Sequence, residues 1–152
     1  MEIGIIVYSQ TGHTKAVAQK LQASLTDQGH HASIQSVELV NDKDPLTLKT
    51  LPDVTPYEVV VFASPVQAFS LAVPMKQYLS QIGQLNDKKV FCFITQQLKK
   101  AWMGGNHALR QMQAACKAKG GQVLWNGGVN WSSEKREEQI NDIVESIGKM
   151  IS

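Results

Sequence analysis

Two of the most familiar phosphate-binding signatures are missing from this sequence. No G-x-x-x-x-G-K-[ST] occurs in it, and no G-x-G-x-x-G follows its first apolar run, which excludes the P-loop and the dinucleotide fingerprint. Cysteine is scarce: Cys92 and Cys116 are the two in 152 residues, with neither C-x-x-C spacing nor a histidine at metal-ligand spacing. They read as buried free thiols, and no metal site is expected. Long hydrophobic runs are absent, and no basic stretch leads into one near Met1, so the expectation is a cytoplasmic protein without a membrane partner. Charge of one sign is also missing. Fifteen basic and thirteen acidic residues leave a formal +2 with no block of like charge, which argues against nucleic acid as a partner. His30, His31 and His107 show no triad or metal spacing and read as ordinary surface or turn residues.

What is present is an alternation of two patterns. Apolar runs suited to buried parallel strands occur at Ile3 to Tyr8, Val59 to Ala63 and Val90 to Ile94, each too short for a buried helix. Weaker runs at Ala32 to Val37 and Gln122 to Trp125 suit strands nearer an edge. Helical stripes lie between them. Val17, Ala18, Leu21 and Leu25 form one, ending near Gly29; Met75, Tyr78, Leu79 and Ile82 form another, opened by Pro74. Leu109, Met112, Ala115 and Cys116 form a third, closed by Gly120, and Ile140, Ile143, Val144, Ile147 and Ile151 form the last, opened by Ser132 or Ser133. Strand and helix in strict alternation predict one α/β domain over residues 1–152, a doubly wound five-stranded parallel sheet with helices on both faces. The crossover Asn41 to Pro56 holds three prolines and leaves room for only a short helix at Pro45 to Leu51.

The segment with the most chemistry is Ser9-Gln10-Thr11-Gly12-His13-Thr14, between the first strand and the first helix. Gly12 lets the backbone bend, the free N–H groups of the helix start converge on one spot, and the helix dipole favours an anion there. Hydroxyls of Ser9, Thr11 and Thr14 add donors. The plainer alternative is that Thr11 merely caps the helix.

The pattern Ser-x-Thr-Gly-x-Thr at the end of a first strand resembles the phosphate loop of the flavodoxin family, where it wraps the terminal phosphate of FMN. The segment Ser64-Pro65-Val66-Gln67-Ala68-Phe69-Ser70-Leu71-Ala72-Val73-Pro74 resembles the family's loop against the isoalloxazine ring; the long loop Thr95 to His107 is expected to close over the ligand, and Thr95 and Gln96 leave the strand where family members hold the flavin's pyrimidine edge. The resemblance implies sheet order 2-1-3-4-5, with the ligand outside the carboxyl ends of strands one and three, as in flavodoxins themselves. It implies FMN as cofactor. Ser9 to Thr14 would take the phosphate; Pro65, Val66, Gln67, Ala68 and Phe69, with Thr95, Gln96 and Gln97, would frame the ring; Trp102 would cover one face. The alternatives are Phe69 in the core, Trp102 as a surface anchor on its loop, and His13 facing solvent instead of holding the phosphate.

Where flavodoxins present a Trp or Tyr pair, this chain has Gln67 and Phe69, and its balance of charge is not the strong acidity usual for carriers in that family. The implied function is therefore an FMN flavoprotein that either transfers electrons to a redox partner protein or acts as an NAD(P)H-dependent reductase of quinones or other small acceptors. A non-redox module holding another phosphorylated ligand is the third reading.

Overall fold

The computed structural model describes residues 1–41, 46–98 and 104–151. Strands β1 (Glu2–Val7), β2 (His31–Ser36), β5 (Val59–Gln67), β7 (Lys89–Gln96) and β8 (Gln122–Asn130) pair in parallel in the order β2-β1-β5-β7-β8. Counted along the chain, that is second, first, third, fourth, fifth. Helices α1 (His13–Asp27), α2 (Val73–Gln81), α3 (Gly105–Ala118) and α4 (Arg136–Ile151) connect or follow them.

Side-chain alternation on β1 divides the core. Ile3, Ile5 and Val7 point to the face covered by Val17, Leu21 and Leu25 of α1 and by Ile140, Ile143 and Ile147 of α4. Ile6 points to the other face, with Met75, Tyr78 and Leu79 of α2 and Leu109, Met112 and Cys116 of α3. Strands buried on both faces read as unbroken apolar runs, which is why β1, β5 and β7 are conspicuous in the sequence. Gly4 lies on the α2–α3 face, where a Cβ would collide with the ring of Tyr57.

Three expectations are corrected. The helix expected at Pro45 to Leu51 is replaced, in its described part, by strand β4 (Thr47–Leu48), which pairs antiparallel with β3 (Leu39–Asn41); Asp42 to Pro45 lie outside the described residues. Backbone pairing between the two short segments satisfies groups that one helical turn would leave open. The third major strand does not stop at Ala63. It runs to Gln67 and turns back as β6 (Ser70–Leu71), with Val66 opposite Leu71 and Gln67 opposite Ser70, so a sixth, antiparallel strand joins the sheet. The last strand likewise continues past Trp125 to Asn130, after a register shift between Val90 and Phe91 of its partner. Gly127 and Gly128, which resemble a break in sequence, sit inside it; a Cβ on the first would strike Trp125 and on the second Ile94.

Both cysteines are free and fully buried, on β7 and α3, and hydrogen bonding to Cys116 together with burial pushes the Cys92 thiol well above its ordinary range. No helix among the described residues is long and apolar enough to cross a membrane.

Tyr78 ties α2 to the segment before β5. Its ring is buried and its hydroxyl donates to the Pro52 carbonyl at 2.6 Å. Burial, with a smaller effect of Asp53, raises the phenol's pKa. The folded state therefore holds the proton more tightly than the unfolded chain, so this contribution is intact below the ordinary phenol value near pH 10 and is lost as pH rises beyond it. Tyr78→Phe should cost about 1 to 2 kcal/mol at neutral pH, since the Pro52 carbonyl loses its donor. It should also flatten the alkaline fall in stability, as read by urea denaturation at a series of pH values; an alkaline limb unchanged in the variant would show that Tyr78 does not drive it.

Candidate functional site

Because the chain leaves β1 toward α1 on one face and β5 toward α2 on the other, a crevice opens between their carboxyl ends. Gln10, Thr11, His13, Pro65, Val66, Thr95, Gln96 and Gln97 line a cleft of about 100 Å³ there, so all three segments singled out in the sequence converge on one place.

The turn after β1 opens onto this cleft. Gly12 is the residue before α1 and has φ 92°, a left-handed conformation that favours glycine, and the position of a Cβ on it has no atom within 4 Å. The helix start carries no acidic residue in its first turn and no side-chain cap from that position. Ser9 Oγ accepts from the N–H of Gly12 at 3.2 Å and of Lys15 at 3.4 Å. A hydroxyl that accepts twice still has its own proton to donate outward. Thr11 is exposed at the cleft.

Thr14 has another task. It is 1% exposed and its hydroxyl shares a 2.7 Å hydrogen bond with that of Thr95, itself 2% exposed. This bond fixes the turn to the end of β7. His13 lines the cleft, and its ring stacks on Trp131, centroids 3.9 Å apart and planes 8° apart. Arg136 lies over the same indole at 5.0 Å, and its Nη1 donates to the Trp131 carbonyl at 3.1 Å.

The second segment is a two-residue hairpin whose tip, Ala68-Phe69, has φ of 50° and 61°. A tight hairpin with both tip residues left-handed normally uses Asn-Gly or Gly-Gly. Here each position costs about 1 to 2 kcal/mol. Three contacts hold the hairpin in place. Gln67 Nε2 donates to Gln10 Oε1 at 2.6 Å, tying it to the turn after β1. Gln111 Oε1 on α3 accepts from Ser70 Oγ at 2.9 Å and from the Leu71 N–H at 2.8 Å. The tip backbone lies against Gly104, where a Cβ would come within 2.8 Å of the Phe69 Cα. Phe69 itself is 65% exposed, so it is not core.

At the third segment Gln96 Nε2 donates to Asn130 Oδ1 at 2.6 Å, and Gln97 Nε2 to Ser132 Oγ at 3.0 Å. The end of β8 and the loop after it thus form a side wall. Trp102 lies outside the described residues, as do Lys99 and Lys100.

Sequence reasoning missed Trp131, Arg136 and Gln111. Trp131 was hidden by the glycine pair that masked the length of β8, and Arg136 by its place in an ordinary charged helix start. Gln111 is one of two glutamines on an amphipathic helix, and nothing in the sequence distinguishes it from Gln113. Among the described residues no group of His, Cys, Asp and Glu is placed to hold a metal ion.

The Thr14–Thr95 bond invites a double-mutant cycle. Thr14→Val or Thr95→Val alone strands a buried hydroxyl and should cost about 1 to 3 kcal/mol. The double variant should cost clearly less than the sum, since no unpaired partner remains. Strict additivity in denaturant melts would mean that the two hydroxyls are not coupled.

Residues 4–124 match the model of the flavodoxin domain family. No curated protein matches the chain significantly. Among solved structures, a flavodoxin of Streptococcus pneumoniae TIGR4 superposes with a TM-score of 0.72 at 14% identity over 99% of both chains. Oxidised flavodoxin 2 of Bacillus cereus gives 0.70 at 18% identity, again over 99% of both. A flavodoxin, WrbA-like protein of Agrobacterium tumefaciens gives 0.71 at 11% identity, over 98% of this chain and 96% of that one. Identities this low speak for the fold alone. The family match is of another kind, for it spans most of the chain and includes the turn, the hairpin and the end of β7 that line the cleft; the chain belongs to the flavodoxin domain family.

Proposed function

We propose that the cleft binds FMN and that the protein is an electron-transfer flavoprotein. The observation that carries this reading is the anion-ready turn at Ser9 to Thr14, with glycine at φ 92° before a helix start free of acidic residues, facing the Pro65–Val66 wall and the Thr95–Gln97 strand end. Bound FMN would supply one- and two-electron redox chemistry. The residues of this chain would bind and orient it. Backbone N–H groups of the turn with Ser9 and Thr11 would hold the phosphate, Pro65, Val66 and the hairpin would wall the ring, and Gln96 and Gln97 would offer amides to its pyrimidine edge. Thr14 and Gln10 act one step back, fixing the turn to β7 and to the hairpin.

Direct reduction by NAD(P)H, with a quinone or other small acceptor, is a second reading. It is favoured by the segments Ser9–Thr14, Ser64–Pro74 and Thr95–His107, which contain no Asp or Glu. A site without carboxylates does not repel a phosphorylated, anionic donor.

Fluorescence titration of the apoprotein should show tight binding of FMN and none of FAD, because the turn has no glycine fingerprint for a pyrophosphate. Thr11→Val should weaken FMN by about tenfold to a hundredfold, roughly 1.5 to 3 kcal/mol. Wild-type affinity in that variant would remove Thr11 from the site, and a protein that takes up no FMN would leave a non-redox module as the surviving reading. Adding NADPH without air to the yellow protein then separates the two roles: bleaching marks a reductase, and an unchanged spectrum marks a carrier.

A further inference from the structure

Charge is distributed very unevenly over this protein. Between Ser64 and Gly121 the chain holds one acidic residue, Asp87, against eight lysines and arginines. Asp87 lies in the turn before β7, at the sheet edge opposite the cleft, so the cleft-side ends of α2 and α3 carry no carboxylate of their own. Lys76 stands in the first turns of α2, its Nζ donating to Ser70 Oγ at 2.8 Å, which holds the cation beside the hairpin. Arg110 is exposed on α3, next to the Gln111 that anchors the same hairpin from the other side. Among the described residues neither cation has a carboxylate within ion-pair distance, whereas Glu2, Glu38 and Glu137 are all paired. Five acids lie between Glu134 and Glu145 at and along α4, which packs on the other face of the sheet from α2 and α3; Glu134, Glu137 and Glu138 stand at its cleft-side start.

The same edge exposes apolar surface. Phe69 is 65%, Val73 54% and Leu98 41% exposed. Phe69 is held outward by two left-handed residues and seated on Gly104, so its exposure is built into the backbone and is not a matter of rotamer choice. An apolar centre with a charged rim of one sign is the anatomy of a protein docking face, and the sign of the rim selects the partner. A small anion would need no exposed aromatic at a strained tip.

We propose that the hairpin tip and the adjoining starts of α2 and α3 form a docking face for an acidic redox protein, one that carries carboxylates around its own electron-transfer site. The identity of that protein as a redox partner rests on the flavin reading above; the basic face itself does not.

The test uses the isotope-labelled protein as purified, titrated with a plant-type ferredoxin as acidic probe and with cytochrome c as basic probe. Amide resonances are followed by nuclear magnetic resonance at about 20 mM and about 300 mM salt, either side of the range where surface charges are screened. Ferredoxin should perturb Phe69 to Lys76 and His107 to Arg110, with affinity falling roughly tenfold or more at the higher salt. The double variant Lys76→Gln, Arg110→Glu should weaken it by a further tenfold or so; the glutamine keeps a donor for Ser70. Ferredoxin that leaves both segments undisturbed, affinity unchanged in the double variant, or cytochrome c seated on these segments would each overturn the proposal. The visible spectrum of the same samples reports on the flavin separately, so a colourless protein that still binds ferredoxin at this face would sink the FMN reading and leave the docking face standing.

Discussion

The pairing of β1 with β5 is the constraint from which the rest of the molecule follows. The two strands lie parallel in register, Ile3 beside Val59 through Val7 beside Ala63, and both are buried on both faces. Parallel neighbours cannot be joined by a tight turn, so the chain must leave each carboxyl end, cover a face with a helix and return. The exits from these two strands go to opposite faces, as the separation of α1 from α2 by the sheet shows. No helix can then fill the space between the exits. The crevice is a by-product of topology, and side chains are needed only to line it.

Lining it rigidly is what the polar residues accomplish. Thr14 to Thr95, Gln10 to Gln67, Gln96 to Asn130 and Gln97 to Ser132 join four strand ends to one another through side chains alone. Neutral donors and acceptors suit the purpose, since a carboxylate in this ring would oppose an anion and would be costly where Thr14 and Thr95 are buried. The same economy of acids extends outward over α2 and α3, so the interior of the cleft and its approach on that face share one electrostatic character.

How much of this could be read from the sequence depended on whether the signal was local. The strands β1 and β7 and the α1 and α4 stripes were legible because burial on a fixed face writes a period into the chain. The turn at Gly12 was legible because its backbone requirement is met by one residue type. The extension of β5 was not, since Ser64-Pro65-Val66 reads as an exit from a strand and the hairpin tip uses Ala68-Phe69 in place of the usual glycine or asparagine. Nor was the side wall, because the contact of His13 with Trp131 joins residues far apart in sequence, one of them beyond a Gly-Gly pair that resembles a break. Trp102 was singled out and lies outside the described residues.

The buried cysteines offer a use unrelated to their chemistry in the native state. Cys92 sits on β7 and Cys116 on α3, both wholly enclosed between that helix and the sheet, and the raised affinity of the Cys92 thiol for its proton keeps the reactive thiolate scarce. An alkylating reagent can reach them only in moments when α3 lifts from the strand beneath it. Their labelling rate is thus a clock for the lifting of α3 from the sheet, ticking in a protein that carries no added probe.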